Sequence, residues 1–266
     1  MSVYDEAQDI LQHLEDVTTM DERLRGAGVR LNWVEATVLD LGGAGGLHAG
    51  ILASRALRLH AADMQDQNVR WQGEFVKLLS EKFLRHGVTL PVARLEFNVT
   101  DAQQLMYRDG WFDLVVSFDA FEHIADPAQA LAEVARVLKY GGIFYVTFDP
   151  VWTADTGSHF SHRVPEPWAH LRISNDDFVA RMTSSGASED EIRDFRNAMN
   201  RWRASQFQEL FETKAIALGL GLRWMTSWKG VSKPENLNVD YYEELKARYS
   251  EDDLLTRGMS AIFVKL

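Results

Sequence analysis

The stretch "VLDLGGAGG", residues 38–46, places Val38, Leu39 and Leu41 around a single acid, Asp40, and follows them with Gly42, Gly43, Ala44, Gly45 and Gly46. A short apolar run that stops at glycine reads as a buried strand. Glycine lets the main chain turn sharply and lets a ligand approach the backbone closely. "LHAGILASRAL" follows and reads as a helix, so the turn sits at a helix start, where free N–H groups can hold a carboxylate or a phosphate. In open parallel sheets, ligands bind beyond the carboxyl ends of the strands, where the strand order reverses. Two ligand classes use such a loop. A dinucleotide favours G-x-G-x-x-G, and here Gly43 and Gly45 are followed by His48 at the third position. The other pattern, D-x-G-x-G-x-G, fits Asp40, Gly42 and Gly46, with Ala44 standing for its middle glycine.

Outward from this stretch, strand and helix patterns alternate. Residues 5–25 read as an amphipathic helix with Ile10, Leu11, Leu14 and Val17 on one face. "LRLHAAD" is a second strand ending on Asp63, and Trp71, Phe75, Leu78, Leu79 and Phe83 recur at helical spacing up to Gly87. "PVARLEFNV" and "FDLVVSF" are the third and fourth strands. Pro127 opens a helix carrying Leu131, Val134 and Leu138, "YGG" stops it, and "IFYVTFD" is the fifth strand. The alternation predicts an α/β fold, a Rossmann-like, seven-stranded, mostly parallel sheet with helices on both faces. After Pro150 the rhythm breaks. Residues 151–205 are rich in Trp, His, Ser and charge, and read as a cap inserted after strand five that contains a helix over "SEDEIRDFRNAMNRW". "QFQELFETKAIALGL", "LRWMTSW", "VDYYEELKARY" and "MSAIFVKL" then give helix, strand, helix and strand. The expected organisation is a helix and cofactor-binding core over 1–150, the cap over 151–205, and the rest of the sheet over 206–266.

Composition narrows the function classes. Of 266 residues, 46% are hydrophobic and 25% charged, as in an ordinary globular protein. The formal charge of −11 repels polyanions, so no nucleic acid is expected as partner. Cysteine is absent, which removes disulfides, thiolate nucleophiles and cysteine metal sites. The start, "MSVYDEAQDILQHLEDV", is acidic and does not read as a signal peptide, and no run approaches the ~20 apolar residues of a membrane span. A cytoplasmic location with no membrane partner is the expectation.

Several segments together resemble the class I S-adenosylmethionine-dependent methyltransferases, in particular the small-molecule, type 11-like group. The resemblance covers about residues 36–150 and, more loosely, the closing helix–strand pair. It rests on "VLDLGGAGG", on "LHAADM" ending in an acid, on "FNVTDAQQL", on "FDLVVSFDAFEHIADP" and on "VLKYGGIFYVTF", in the family's order. The resemblance implies S-adenosyl-L-methionine as cofactor. It implies Gly42, Gly43 and Gly45 against the amino-acid part and Asp40 on the ammonium. Asp63, followed by Met64, would accept from the ribose hydroxyls. Asp101 would take the adenine amino group, with Ala102 beside it, and Ser117 and Phe118 would pass the methionine portion. Glu122 and His123, before Asp126-Pro127, are given a structural capping role.

Methyl transfer from a sulfonium to a hydroxyl needs alignment and a base. The stretch "GSHFSHRVPEPWAHL" holds His159, His162 and His170, with aromatic residues around them. His159 is the first candidate base, His162 the second, and Asp119, just after strand four, a rival. Trp152, Phe160, Trp168 and His170 are the candidate walls for a small-molecule methyl acceptor. The turn Pro167-Trp168-Ala169-His170-Leu171 resembles one found in a subset of small-molecule methyltransferases. His159, His162, His170 and Asp155 have a spacing that can serve a divalent ion, but the segment has prolines and no i, i+4 pair, and no metal is assigned. O-methylation of a natural-product or sugar-like hydroxyl is the leading expectation, with N- or carboxyl-methylation as the alternative. A nicotinamide-dependent oxidoreductase and a non-catalytic cofactor-binding protein rank lower. The aromatic segment over residues 241–249 either closes the pocket or joins two copies in a homodimer.

Overall fold

The computed structural model describes residues 5–43 and 45–266. Ala44, the departure in the glycine loop, lies outside the described residues. The first half runs α1 (Glu6–Gly26), β1 (Thr37–Leu41), α2 (Leu47–Ala53), β2 (Arg58–Asp63), α3 (Gln67–Arg70), α4 (Phe75–Arg85) and β3 (Leu95–Val99). It continues through β4 (Phe112–Phe118), α5 (Pro127–Val137) and β5 (Leu138–Phe148). Four helices follow, α6 (Ala169–Arg172), α7 (Asn175–Ser184), α8 (Glu189–Asn197) and α9 (Ala204–Glu209). The chain closes with β6 (Leu220–Lys229), α10 (Tyr242–Lys246), α11 (Glu251–Leu255) and β7 (Thr256–Lys265).

The seven strands form one sheet in the order β3-β2-β1-β4-β5-β7-β6. The first five are parallel, and β7 runs antiparallel to both β5 and β6. Strand β1 therefore sits where the order reverses, between β2 and β4, as the glycine-rich stretch requires. Side chains alternate across each strand. Leu39, Leu41, Val115 and Phe144 face a core that packs against Leu131 and Val134 of α5, Phe207 of α9 and Phe211 in the turn that follows it. Val38, Leu114, Val116 and Tyr145 face the opposite core, with Met20 of α1, Leu52 of α2 and Phe83 of α4. Each fully buried side chain of this kind contributes ~1.5–3 kcal/mol of burial free energy.

A third core lies beyond the sheet. Trp152, Trp168, Phe178 and Phe195 pack with Tyr242, Leu245 and Leu254. The segment after β5 thus shares its apolar interior with the β6–β7 connection. The buried Asp155 pins the two together: one carboxylate oxygen accepts from the Ser232 backbone N–H at 2.7 Å, the Ser232 hydroxyl at 2.5 Å and the Asn236 amide at 2.7 Å.

Several element boundaries differ from the periodicity. The helix expected through Trp71 is broken: Trp71 caps α3, and α4 starts only at Phe75, after Gly73 turns with positive φ. The helix expected to carry Leu138 ends at Val137, and Leu138 with "YGG" already belongs to β5. Strand β3 begins at Leu95, behind a tight turn over Val92–Arg94 that follows Pro91. The helix expected over residues 239–249 shortens to α10, with α11 formed separately behind the Ser250 cap.

Candidate functional site

At the tip of β1 the chain turns at Gly42, which has φ +86° and donates its N–H to the Ala62 carbonyl at 2.8 Å. A Cβ at Gly42 would overlap the Ala120 methyl, and one at Gly43 would overlap the carboxylate of Asp40. The close approach of three strand tips is what excludes side chains here. Asp40 lies beneath this turn, 1% exposed, and its Oδ2 has no hydrogen-bond partner. Burial, reinforced by the nearby Asp63 carboxylate, pushes its pKa up to about 7. Asp63 ends β2 and accepts from the Gln65 N–H at 2.8 Å. Asp101, two residues past β3, accepts from the Gln103 N–H at 2.8 Å and from its side-chain amide at 3.0 Å.

These tips open on one cavity of about 610 Å³. Gly42, Asp63, Met64, Asp101 and Ala102 line one side of it. Asp119, His123, His159 and Phe160 line the other, together with Asn197 and Met199 at the end of α8. Asp119 and His159 both hold positive φ, 45° and 63°, an uncommon backbone state for side-chain-bearing residues that marks sites held in place by their surroundings. The Asp119 N–H is fixed on the Thr147 carbonyl at 2.9 Å. Burial first, then the charges of Asp149 and Asp16, push the Asp119 carboxyl up to about 6. His159 is pushed down to about 4, first by burial and then by His123.

A family model described as a methyltransferase domain matches residues 39–146, the span that holds the glycine turn, all three aspartates and Asp119. Over this span the chain is similar to the S-adenosylmethionine-dependent methyltransferases. The family's cofactor is S-adenosyl-L-methionine. A ubiquinone biosynthesis O-methyltransferase from Caulobacter vibrioides is 28% identical over 152 residues, 55% of this chain and 56% of that one. The O-methyltransferase cnsE from Penicillium expansum is 26% identical over 200 residues, 75% of this chain and 67% of that one. The chain spans about half the length of the first curated relative it matches. A SAM-dependent methyltransferase structure from Methanosarcina mazei superimposes with a TM-score of 0.52 over 87% of this chain and 93% of that one, at 16% identity, a likeness of fold.

The expected cofactor residues fall into two layers. Gly42, Asp63, Met64, Asp101 and Ala102 reach the cavity wall, whereas Asp40 and Ser117 lie buried behind it. Gly43 borders a smaller adjoining hollow of about 140 Å³ that also touches Asp63. Gly45 faces a separate groove beside Trp71 and Lys82. Phe118 is buried and stacks on the His48 ring with centroids 4.0 Å apart.

Of the expected acceptor-side residues, Asp119, His159 and Phe160 come together, and the others do not join them. His162 is exposed and binds Glu191 Oε1 through Nε2 at 3.0 Å, beside Arg163. Trp168 is fully buried and donates to the Thr153 carbonyl at 3.0 Å. His170 is buried against Trp152 with ring centroids 4.6 Å apart, and its Nε2 donates to the Trp152 carbonyl at 2.7 Å. The two tryptophans belong to the third core, and His170 packs against it through Trp152 and Phe178.

The capping role expected of Glu122 and His123 falls to Asp126, which accepts from the Ala128 and Gln129 N–H groups at 3.0 Å. His123 instead reaches the cavity wall, held by the Ala198 carbonyl at 2.9 Å. Asn197, Ala198 and Met199 were likewise not singled out. They have no local pattern of their own, and only the end of α8 delivers them. The metal grouping weighed from spacing does not assemble either, because His162, His170 and Asp155 each have the other partners described above. Among the described residues, Glu122, His123 and His159 are the set whose ligand atoms lie within 4.8 Å of one another.

Proposed function

We propose that the chain transfers the methyl group of S-adenosyl-L-methionine to a hydroxyl of a small organic acceptor. The observation that carries this reading is a shared cavity: Asp63 and Asp101 stand on one wall, Asp119 and His159 on the other. The cofactor residues fit the group. Asp40 offers a buried carboxylate oxygen with no partner, and the turn above it accepts no side chain. Asp40 would hold the ammonium, Asp63 the ribose hydroxyls and Asp101 the adenine amino group, with Ala102 beside the ring. Bound S-adenosylmethionine supplies an electrophilic methyl on a sulfonium that is already a good leaving group. The chain's own work is to align the acceptor, exclude water and take one proton. Alignment of this kind supplies up to ~7–11 kcal/mol of the barrier.

Asp119 is assigned the proton. Its carboxyl lies at the tip of β4, on the wall, and burial sets its pKa near 6, close to a working pH near neutrality. Among the expected bases, His162 lies outside the cavity and His159 is the weaker base. The likeness to two O-methyltransferases favours oxygen over nitrogen or carboxylate as the atom methylated. The test is methyl transfer from labelled cofactor to a panel of phenols, sugars, amines and carboxylic acids. Asp119→Asn is expected to lower kcat on the best hydroxyl acceptor by about 10²–10⁴-fold with cofactor affinity unchanged. Full activity in that variant would remove Asp119 as the base, and turnover of amines alone would overturn the hydroxyl assignment.

A further inference from the structure

Glu122 sits in the tight turn Phe121–His123 that follows the tip of β4. Its carboxylate is 1% exposed, and neither oxygen has a hydrogen-bond partner. A buried, unpaired carboxylate is costly unless something compensates it. Two imidazoles stand beside it. His123 Nε2 is 3.9 Å from Glu122 Oε1, and the rings of His123 and His159 meet nearly edge-on with centroids 4.9 Å apart.

The tautomers of both rings follow from their neighbours. A carbonyl only accepts, so His123 Nδ1, 2.9 Å from the Ala198 carbonyl, carries the proton, and Nε2 keeps its lone pair. His159 Nε2 donates to the Pro150 carbonyl at 3.1 Å, which leaves the lone pair on Nδ1. One nitrogen tied to a backbone carbonyl and the other free is the arrangement that orients metal-binding histidines. One ligand atom from each of Glu122, His123 and His159 lies within 4.8 Å of the other two. Neighbouring ligands ~2.1 Å from a shared ion stand roughly 3–3.5 Å apart, so a small inward shift of the side chains closes the site.

We infer that Glu122, His123 and His159 hold a divalent metal ion on the acceptor wall of the cavity. Two imidazoles and a carboxylate favour manganese, iron, cobalt or zinc over magnesium or calcium. His123 and His159 both line the cavity, so the ion's remaining positions face it. An acceptor oxygen bound there gives up its proton more readily, because a divalent charge lowers the pKa of a ligated hydroxyl. The proton passes to Asp119, the oxygen forms its bond to the methyl carbon as the carbon–sulfur bond breaks, and the sulfur leaves neutral. This catalytic role rests on the methyl-transfer reading, but occupancy of the site does not.

The test is calorimetric titration of the chelator-stripped full chain with Mn²⁺ and, separately, Zn²⁺, together with cofactor binding in the same variants. One ion per wild-type chain is expected. Glu122→Gln and His159→Asn should each weaken metal binding at least 10-fold, while His86→Ala, on the far end of α4, leaves it unchanged. Unchanged cofactor affinity in the variants shows that the fold persists, and His159→Asn decides alone if Glu122→Gln does not fold. A wild-type chain that takes up neither ion at millimolar concentration overturns the site, as does affinity indifferent to both substitutions. Metal uptake of the expected stoichiometry without methyl transfer to any acceptor supports the site and counts against the functional reading instead.

Discussion

At the scale of single residues, Asp40 carries the most specific consequence. In the free protein its carboxyl is raised from 3.8 to about 7 by burial and by Asp63. The fold therefore favours the neutral form. The stability that this adds is full below pH ~4 and is lost as pH rises through about 7. A bound ammonium reverses the preference, because a carboxylate beside a cation stays ionised. Cofactor binding should then release a proton below pH 7, and affinity should weaken by up to ~10-fold per pH unit there. Calorimetry at pH 6 in two buffers of different ionisation heat measures the released proton directly, and equal heats in both would remove Asp40 from the ammonium site. The glycines around it were readable because a small residue after a strand-end acid has few other causes, and the structure supplies the reason in the Ala120 methyl and the Asp40 carboxylate. His123 was not readable. A histidine before Asp-Pro looks like part of a helix start, and only the Ala198 carbonyl, 75 residues away in sequence, turns its ring into the cavity.

At the scale of elements, the strands were legible and several helix ends were not. Strand positions follow from dense apolar runs with both faces covered, as in β4, where Phe112 and Leu114 to Phe118 are all buried. Helix limits depend on caps and on what the chain packs against next. Leu138 fits the apolar stripe of α5, yet its pairing with Phe112 of β4 draws it into the sheet. The aromatic stretch after Pro150 misled for a related reason. Trp152, Trp168 and His170 suit a pocket wall and a core equally well by composition, and a cluster shared with Phe178, Phe195 and the sequence-distant Tyr242 makes the two tryptophans core, with His170 packed against Trp152 and Phe178. Asp155 holds those two segments together through Ser232 and Asn236. Asp155→Ala should destabilise the protein by about 1.5–3 kcal/mol, the range for hydrogen bonds to a charged group. Urea denaturation measures this, and a midpoint equal to wild type would mean that the two segments do not depend on the clamp.

At the scale of the whole molecule, the parallel core, the reversal of strand order at β1 and the cofactor class could be anticipated, because five separated segments constrain one topology. The antiparallel closing strand, β7 between β5 and β6, was not visible in periodicity, which does not encode direction. No helix among the described residues is long and apolar enough to cross a membrane. The central claim is that the strand tips gather around one nucleoside in the large cavity. A crystal structure of the full chain with S-adenosylhomocysteine tests it most directly. The ribose hydroxyls should lie within hydrogen-bond distance of the Asp63 carboxylate, the adenine beside Asp101 and Ala102, and the sulfur toward Asp119. A nucleoside bound in the groove lined by Gly45, Arg70, Trp71 and Lys82, with Asp63 and Asp101 untouched, would contradict it.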